Sequence, residues 1–294
     1  MILSSIFSKA SHKLSDSITC VAERSIWLII AITCLVGCQP TLDCGHNLTA
    51  QQLNAIGEQI FFNECNRRRS CLLSWNEGED FPSLGIGHFI WYPANVDPGF
   101  VESFPALITH MQAQGVALPS WLDQLKPFAS PWQSREEFIQ TQNDIRANQL
   151  RDFLESTKAQ QTAFMLSRMQ KSLINVVTAS DVAIRKAMQS HIARLCESPA
   201  GIYALIDYVN FKGEGISSGE TYNGQGWGLR QVLIDMAGNG ELSADDSVKA
   251  FTQAADRVLT RRAANAKNTI EKDKWLPGWR ARLKTYTLFQ WPES

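Results

Sequence analysis

The sequence lacks an excess of charge of either sign, because its 294 residues contain 28 Lys and Arg against 29 Asp and Glu. Binding to nucleic-acid phosphates depends on clustered positive charge, so we expect no nucleic-acid partner. The sequence also lacks the repeated runs of about 20 apolar residues that a multi-span membrane protein requires, and it contains no internal repeat. With 44% hydrophobic and 19% charged residues, the composition is typical of a globular protein and excludes a collagen or a low-complexity disordered chain.

A basic segment precedes a short apolar run near the start of the chain. The run covers residues 27–37 and follows three cations, Lys9, Lys13 and Arg24. A membrane-spanning helix takes about 20 apolar residues, so this shorter run is typical of a secretory signal peptide. The run leads into Leu35-Val36-Gly37-Cys38, which resembles a bacterial lipobox.

The lipobox resemblance implies that residues 1–37 are a lipoprotein signal peptide and that Cys38 is diacylated and becomes the new N-terminus. Two acyl chains hold a protein stably on a membrane. Gln39 stands where an Asp would imply retention at the inner membrane, so we expect the periplasmic face of the outer membrane. Residues 38–48 then form a tether. The alternative is a cleaved signal, or a signal anchor, with an incidental cysteine.

The seven cysteines divide by their expected chemistry. Two lie within the signal peptide and one is the predicted lipid anchor, which leaves Cys44, Cys65, Cys71 and Cys196. An even number in an oxidising compartment favours disulfides. Of the three possible pairings, Cys65–Cys71 with Cys44–Cys196 is favoured because the first pair closes a short loop. Zinc ligation is the less favoured alternative, since no Cys-x-x-Cys is present and the histidines are scattered.

Hydrophobic periodicity predicts a mainly helical chain with a small sheet near its start. A capping-box pattern at residues 49–52 precedes apolar residues at helical spacing, which predicts a helix that ends near Glu64. Residues 83–90 alternate like a glycine-rich strand and predict a small hairpin region. Further helices are predicted from Ser134 onward, including a buried one after Ser198 that is apolar on nearly all faces. The predicted fold class is α+β, mainly α.

Four segments occur in an order found in one enzyme family. They are the helix that ends at Glu64, Ser-Leu-Gly-Ile-Gly-His at 83–88, the apolar helix with its glycine turn at 204–213, and a Pro-Gly segment with arginines at 276–282. In this order they resemble the phage-type lysozymes of glycoside hydrolase family 24, over about residues 54–90 and 200–289. The resemblance implies that residues 49–294 form a lysozyme-like fold. This fold has a small antiparallel sheet lobe, a helical lobe and, here, an inserted or enlarged region at about 91–133.

The resemblance also implies an active site that cuts the glycan strands of peptidoglycan, without a metal or an organic cofactor. Glu64 matches the family's catalytic glutamate. Glu77 and Ser83 stand where the family has Asp and Thr, and Glu79 is a substitute for Glu77. The implied substrate contacts are Trp75, Gly85, Gly87 and His88, although an aromatic residue in a hydrophobic chain is more often a core residue and His88 more often a hydrogen-bonding residue at a strand end.

A physical argument supports Glu64 separately. A carboxyl at the C-terminal end of a helix faces the negative end of the macrodipole, which disfavours its ionised form. Partial burial acts in the same direction. We therefore expect a raised pKa at Glu64, as a glycosidase general acid requires. The separation of the two carboxylates would decide between inversion and retention of stereochemistry.

Two other functions remain open. Residues 224–232 faintly resemble the Gly-Leu-Met-Gln element of lytic transglycosylases, which use a single glutamate, here Glu214 or Glu220. The third possibility is a non-catalytic lipoprotein that binds peptidoglycan, because Glu and Ser replace the family's Asp and Thr.

The lipid anchor gives the first testable prediction. We expect Cys38→Ser to abolish incorporation of a labelled fatty acid and to release the protein from the membrane fraction, because no other residue matches the acylation position. Unchanged membrane association of the variant would contradict the lipobox assignment.

Overall fold

Helices make up most of the computed structural model of this protein, which describes residues 44–292. The predicted signal peptide, Cys38 and the first part of the tether lie outside the described residues. The described helices are α1 (Ala50–Cys65), α2 (Phe104–Ala113), α3 (Ser120–Asp123), α4 (Arg135–Thr141), α5 (Ile145–Ser156), α6 (Lys158–Thr178), α7 (Val182–Cys196), α8 (Pro199–Lys212), α9 (Leu229–Met236), α10 (Ala244–Asn265) and α11 (Leu276–Tyr286). Among them, none combines the length and the apolarity that crossing a bilayer requires.

Two small antiparallel sheets accompany the helices. The first has the order β1-β2-β3, with β1 (Leu73–Ser74), β2 (Ser83–Leu84) and β3 (Phe89–Ile90). The second pairs β4 (Thr221–Tyr222) with β5 (Gln225–Gly226). A mainly helical α+β chain with a small sheet after the first helix was predicted from the sequence and is confirmed.

The capping box at the start of α1 is present as predicted. The Thr49 hydroxyl accepts a hydrogen bond from the Gln52 backbone N–H at 3.2 Å, and the Gln52 side chain accepts one from the Thr49 N–H at 2.9 Å. This exchange satisfies two of the free N–H groups at the helix start. The helix ends at Cys65, where Asn66 takes a left-handed conformation with φ 49°. Glu64 therefore lies in the last turn of α1.

Residues 83–90 form the predicted small hairpin region, in which β2 and β3 are joined by a turn, so the strand-like alternation does not continue through residues 85–88. Gly85 and His88 have φ values of 68° and 49°, which are incompatible with an extended strand. The His88 N–H donates to the Gly85 carbonyl at 3.3 Å and closes the turn between β2 and β3. The buried Gln161 side chain of α6 holds this turn, since its Oε1 accepts from the Ile86 N–H at 2.9 Å and its Nε2 donates to the Leu154 carbonyl at 2.6 Å.

Both predicted disulfides are present. Cys65–Cys71 joins the end of α1 to the short 3₁₀ helix at Arg69–Leu72, with the Cα atoms 5.5 Å apart. Cys44–Cys196 joins the first described residue to the end of α7, with the Cα atoms 5.0 Å apart. The first bridge lies within the segment that connects Glu64 to the sheet.

The central helix is α8, as its all-apolar sequence predicted. Residues 200–209 are buried without exception, and the helix packs against α6, α7, α10 and α11. The Ser198 hydroxyl caps it by accepting from the Gly201 N–H at 3.0 Å. Because α8 is enclosed by other helices, the polar residues that it carries are brought into contact with side chains from distant parts of the chain.

Two regions differ from prediction in their helices. The region 91–133 packs through an aromatic cluster around Trp91. It contains α2, which was not predicted and whose buried positions repeat at helical spacing. The helix expected after Ser134 is divided into α4 and α5, because the Asp144 side chain accepts from the Ala147 N–H at 2.7 Å and starts a new helix.

The turn at Gly85 gives the second prediction, with Gly78 as a matched control. Both glycines have positive φ values, but a Cβ at Gly85 would collide with the Gln161 side chain, whereas nothing lies within 4 Å of a Cβ at Gly78. We expect Gly78→Ala to cost about 1–2 kcal/mol of unfolding free energy. We expect Gly85→Ala to cost about 1–3 kcal/mol more through overpacking. Urea denaturation measures the unfolding free energy of both variants. Equal losses of unfolding free energy would contradict the close packing of Gln161 against Gly85.

Candidate active site

A buried ion-pair network joins α1, α8 and α11. The Arg282 guanidinium donates through Nε and Nη2 to the two Asp207 carboxylate oxygens, at 2.8 Å each. Its Nη1 donates to Glu64 Oε1 at 2.5 Å. The Tyr286 hydroxyl donates to Asp207 Oδ2 at 2.7 Å. Asp207 therefore fixes the guanidinium in a bidentate pair, and the remaining edge of the guanidinium orients Glu64.

Exposure decreases along this network from Glu64 inward. The side chains of Glu64, Arg282 and Asp207 are 17%, 7% and 0% exposed, respectively. Glu64 is thus the member of the network that a bound molecule can reach. Its Oε2 takes no part in the hydrogen bond to Arg282.

The sequence predicted a raised pKa for Glu64, and this prediction is wrong in direction. Burial acts to raise the pKa of Glu64, but the charges of Arg282, His88 and Lys212 and the hydrogen bond from Arg282 outweigh it, so the pKa is lowered. The helix macrodipole acts only within the last turn of α1. The guanidinium of Arg282 reaches Glu64 from 218 residues away along the chain and reverses the direction of the shift in pKa.

Lys212, the last residue of α8, is a titratable neighbour of Glu64 that sequence reasoning missed. Its Nζ lies 3.9 Å from the centroid of the Phe211 ring and 3.8 Å from that of Trp279. Burial, followed by the charges of Arg262 and Arg282, lowers the pKa of Lys212 to about 6. The signal in the sequence was a lone cation that closes a long apolar helix.

Asp207 and Arg282 also received no role from the sequence. Asp207 is the one charged residue in the apolar stretch 202–209. A carboxylate at such a position requires a partner, because an isolated charge is costly to bury. This reasoning predicts that a cation contacts α8, but it does not identify which of the arginines supplies it.

The glycine-containing turn lies against the ends of α1 and α8. His88 Nε2 is 4.0 Å from the Sγ of Cys65 and 3.8 Å from the Sγ of Cys71. The Gly87 carbonyl is 3.5 Å from Nδ2 of Asn210, which donates to it. Gly85 is buried against Gln161, so its lack of a side chain serves packing inside the protein.

Two further predicted site residues, Trp75 and Glu77, lie in the segment between β1 and β2. Glu77 is exposed in a groove that Glu79 and Arg135 also line, and Glu64 is not among the residues that line this groove. The Trp75 ring is 7% exposed, packs 6.0 Å from Phe138 and donates its N–H to the Glu79 carbonyl at 2.7 Å. Trp75 therefore packs in the core, and its role as a substrate contact stays a prediction.

Ser83 lies in the middle strand of the sheet, between Ser74 and Ile90. The residue is 5% exposed, and its carbonyl is 3.4 Å from the Ser74 hydroxyl, which donates to it. The structure thus brings Glu64, Cys65, Cys71 and His88 together at the end of α1. It leaves Glu77 in the groove beside Trp75.

The two glutamates of the transglycosylase alternative lie in the turn after α8. Glu214 Oε1 accepts from the Ser172 hydroxyl at 2.7 Å and from Asn175 Nδ2 at 3.0 Å. Partial burial and the charge of Glu214 raise the pKa of Glu220, against the opposing charge of Arg262. This glycine-rich segment is held by Gln231, which accepts from the Gly228 N–H at 3.0 Å and donates to the Gly215 carbonyl at 2.9 Å.

Lys212 gives the third prediction. Between its folded pKa of about 6 and the ordinary lysine value of 10.5, the unfolded chain binds a proton that the folded protein does not. The unfolding free energy therefore rises with pH in this window, by at most about 1.4 kcal/mol per pH unit from one group. We expect Lys212→Met to flatten the slope between pH 7 and 9.5 in urea denaturation. Lys284→Met, at an exposed position of α11, should leave the slope unchanged; equal slopes in wild type and Lys212→Met would contradict the assignment.

Comparison with protein-family models, with curated proteins and with solved structures gives no match.

Proposed function

We propose that this protein is a lysozyme-like glycoside hydrolase that cleaves the glycan strands of peptidoglycan, with Glu64 as its essential carboxylate. The observation that carries the proposal is the hydrogen-bonded connection from Glu64 through Arg282 to Asp207. These three residues belong to three of the four segments on which the family resemblance rests. The fourth segment, the 83–88 turn, contacts α8 through Asn210 and Gly87.

The proposal includes a lysozyme-like fold for the described residues. Its support is the element order, in which α1 leads into the three-stranded sheet and the remaining helices follow around α8. The residues at the end of α1 face α8 and α11 on one side and the sheet turn on the other. In this arrangement a glycan strand would bind over Glu64, between the small sheet and the helices.

Proton transfer is the central step of the proposed reaction. Cleavage of a glycosidic bond requires a proton on the leaving-group oxygen. In the free protein Arg282 favours the ionised form of Glu64, so the carboxyl must gain its proton in the complex. A sugar that covers the exposed 17% of the side chain removes water, and desolvation favours the neutral carboxyl. Arg282 holds Oε1, and the proton is then donated from Oε2.

The second carboxylate of the proposed reaction is Glu77, with Glu79 as the substitute. Glu77 is exposed and free to approach a bound sugar, whereas Glu79 accepts a hydrogen bond from Asn76 Nδ2 at 3.2 Å. The carboxylate would activate water or stabilise the positive charge that develops on the sugar ring. Ser83 is buried in β2 and would act by positioning the adjacent turn.

A second candidate function is a lytic transglycosylase that uses Glu220. One observation favours it: Glu220 has a raised pKa, which is the state that a single catalytic acid requires. The products distinguish the two enzymes, because a transglycosylase leaves anhydromuramyl ends and a hydrolase leaves reducing ends. For either activity, the lipobox resemblance supports a location on the periplasmic face of the outer membrane.

The fourth prediction tests Glu64 with a matched control on the same helix. Glu58 also lies on α1 and forms an ion pair with Lys158 at 3.1 Å. We expect purified mature protein and Glu58→Gln to clear a peptidoglycan zymogram and to release reducing ends. Glu64→Gln should lose about 10²–10⁴-fold in rate, the usual contribution of a general acid.

The outcomes of this experiment separate the three functions. Full clearing by Glu64→Gln would reject the assignment of Glu64. Anhydromuramyl ends, together with loss of activity in Glu220→Gln, would identify the transglycosylase. Binding to peptidoglycan without clearing by the wild type would identify the non-catalytic lipoprotein.

A further inference from the structure

Three side chains with metal-ligand atoms converge beside the end of α1. His88 Nε2 lies 4.0 Å from Cys65 Sγ and 3.8 Å from Cys71 Sγ, and the two sulfurs are bonded to each other. In the described part of the chain, these three side chains form a group in which all the ligand atoms lie within 4.8 Å of one another. The disulfide Cys44–Cys196 belongs to no such group in the described part of the chain.

We propose that reduction of the Cys65–Cys71 disulfide creates a binding site for a thiophilic divalent cation, with Zn²⁺ as the type ion. The ligands are Cys65 Sγ, Cys71 Sγ and His88 Nε2. In a tetrahedral zinc site with Zn–S of about 2.3 Å and Zn–N of about 2.0–2.1 Å, a sulfur and a nitrogen ligand are about 3.5 Å apart. The imidazole nitrogen is already close to this separation from both sulfurs.

Reduction leaves the backbone that carries the three ligands in place. The loop between the cysteines has its own hydrogen bonds, from the Arg68 N–H to the Cys65 carbonyl at 2.9 Å and from the Cys71 N–H to the Arg68 carbonyl at 3.0 Å. The Gly85 N–H donates to the Leu72 carbonyl at 2.8 Å and holds the His88 turn beside this loop. Rotation of the two cysteine side chains about Cα–Cβ is then sufficient to separate the sulfurs to about 3.8 Å, as two ligands of one zinc ion require.

The chemistry balances with a thiol or phosphine reductant. Two electrons from the reductant and two protons convert the disulfide into two thiols, and the reductant becomes a disulfide or a phosphine oxide. The cation then displaces both thiol protons and binds two thiolates. Neutral His88 binds through Nε2 and keeps its proton on Nδ1. Two thiolates neutralise the divalent charge, and the fourth position is open to water.

This site would adjoin the carboxylate on which the proposed function rests. Cys65 follows Glu64 in the chain, and Cys71 Sγ lies 3.8 Å from the Glu64 carbonyl oxygen. A cation would therefore bind beside Glu64, at the end of α1, only in surroundings that reduce the Cys65–Cys71 disulfide. The proposal itself concerns metal binding, so its test does not depend on the hydrolase activity.

The fifth prediction is a redox-dependent metal titration. The mature protein is reduced with a phosphine under anaerobic conditions and titrated with Co²⁺ as a spectroscopic probe, and Zn²⁺ is then added in competition. We expect one equivalent of Co²⁺ with a thiolate-to-metal charge-transfer band, displaced by Zn²⁺, in the reduced protein only. The Cys44→Ser/Cys196→Ser variant should behave in the same way.

His88→Asn tests the third ligand. Asn tolerates the positive φ of position 88, so the turn is retained while the imidazole is lost. We expect the affinity for Zn²⁺ to fall by about tenfold or more. His110→Asn, on α2, should leave the affinity unchanged.

An alkylation experiment uses the wild-type sequence, so its result does not depend on whether a variant folds. Zn²⁺ should protect Cys65 and Cys71 of the reduced protein from iodoacetamide, and peptide mass spectrometry should find Cys44 and Cys196 modified at an unchanged rate. The proposal is overturned if Zn²⁺ protects all four cysteines equally or none of them, or if oxidised and reduced protein bind Co²⁺ with equal affinity.

Discussion

The buried carboxylate of Asp207 is the constraint on which the candidate site depends. It has no exposed surface and lies on the most enclosed helix of the described chain, so it requires compensation from within the protein. Arg282 supplies two hydrogen bonds and Tyr286 a third. Removing one partner of such a pair typically costs about 3–5 kcal/mol, because an uncompensated charge remains buried. The pairing that stabilises the core also determines where the Arg282 guanidinium points, and hence the position of Glu64.

The same network sets the balance of charge around Glu64. Burial favours the neutral carboxyl, whereas Arg282, His88 and Lys212 favour the ionised one, and the cations prevail. Lys212 is subject to the opposite balance, because burial and two guanidiniums disfavour its charge. Arg262 is one of these guanidiniums; it pairs with Glu271 and stacks 4.0 Å from the Trp227 ring. Charged groups from α1, α8, α10 and α11 are thus electrostatically coupled, and a change in one of them alters the protonation of the others.

Local patterns predicted the elements correctly where the governing interaction spans a few residues. The capping box at Thr49, the cap at Ser198 and the short Cys65–Cys71 loop are of this kind. The small hairpin region was predicted, but the position of its turn was not, because alternation of apolar residues does not reveal a left-handed backbone at His88, which is not a glycine. Helix α2 was not predicted, although its buried residues repeat at helical spacing.

By itself, the sequence determined the mainly helical α+β class, the position of Glu64 at the end of α1 and the short Cys65–Cys71 pairing, which leaves Cys44 to pair with Cys196. Only the tertiary structure decided the environment of these residues. The direction of the Glu64 pKa depends on Arg282, and the chemistry available to Cys65 and Cys71 depends on His88. The physical reason is that helix starts and short loops are governed by hydrogen bonds and covalent links within about one turn of the chain. Electrostatic fields and ligand geometry instead depend on which distant side chains the packing of α8 brings into contact.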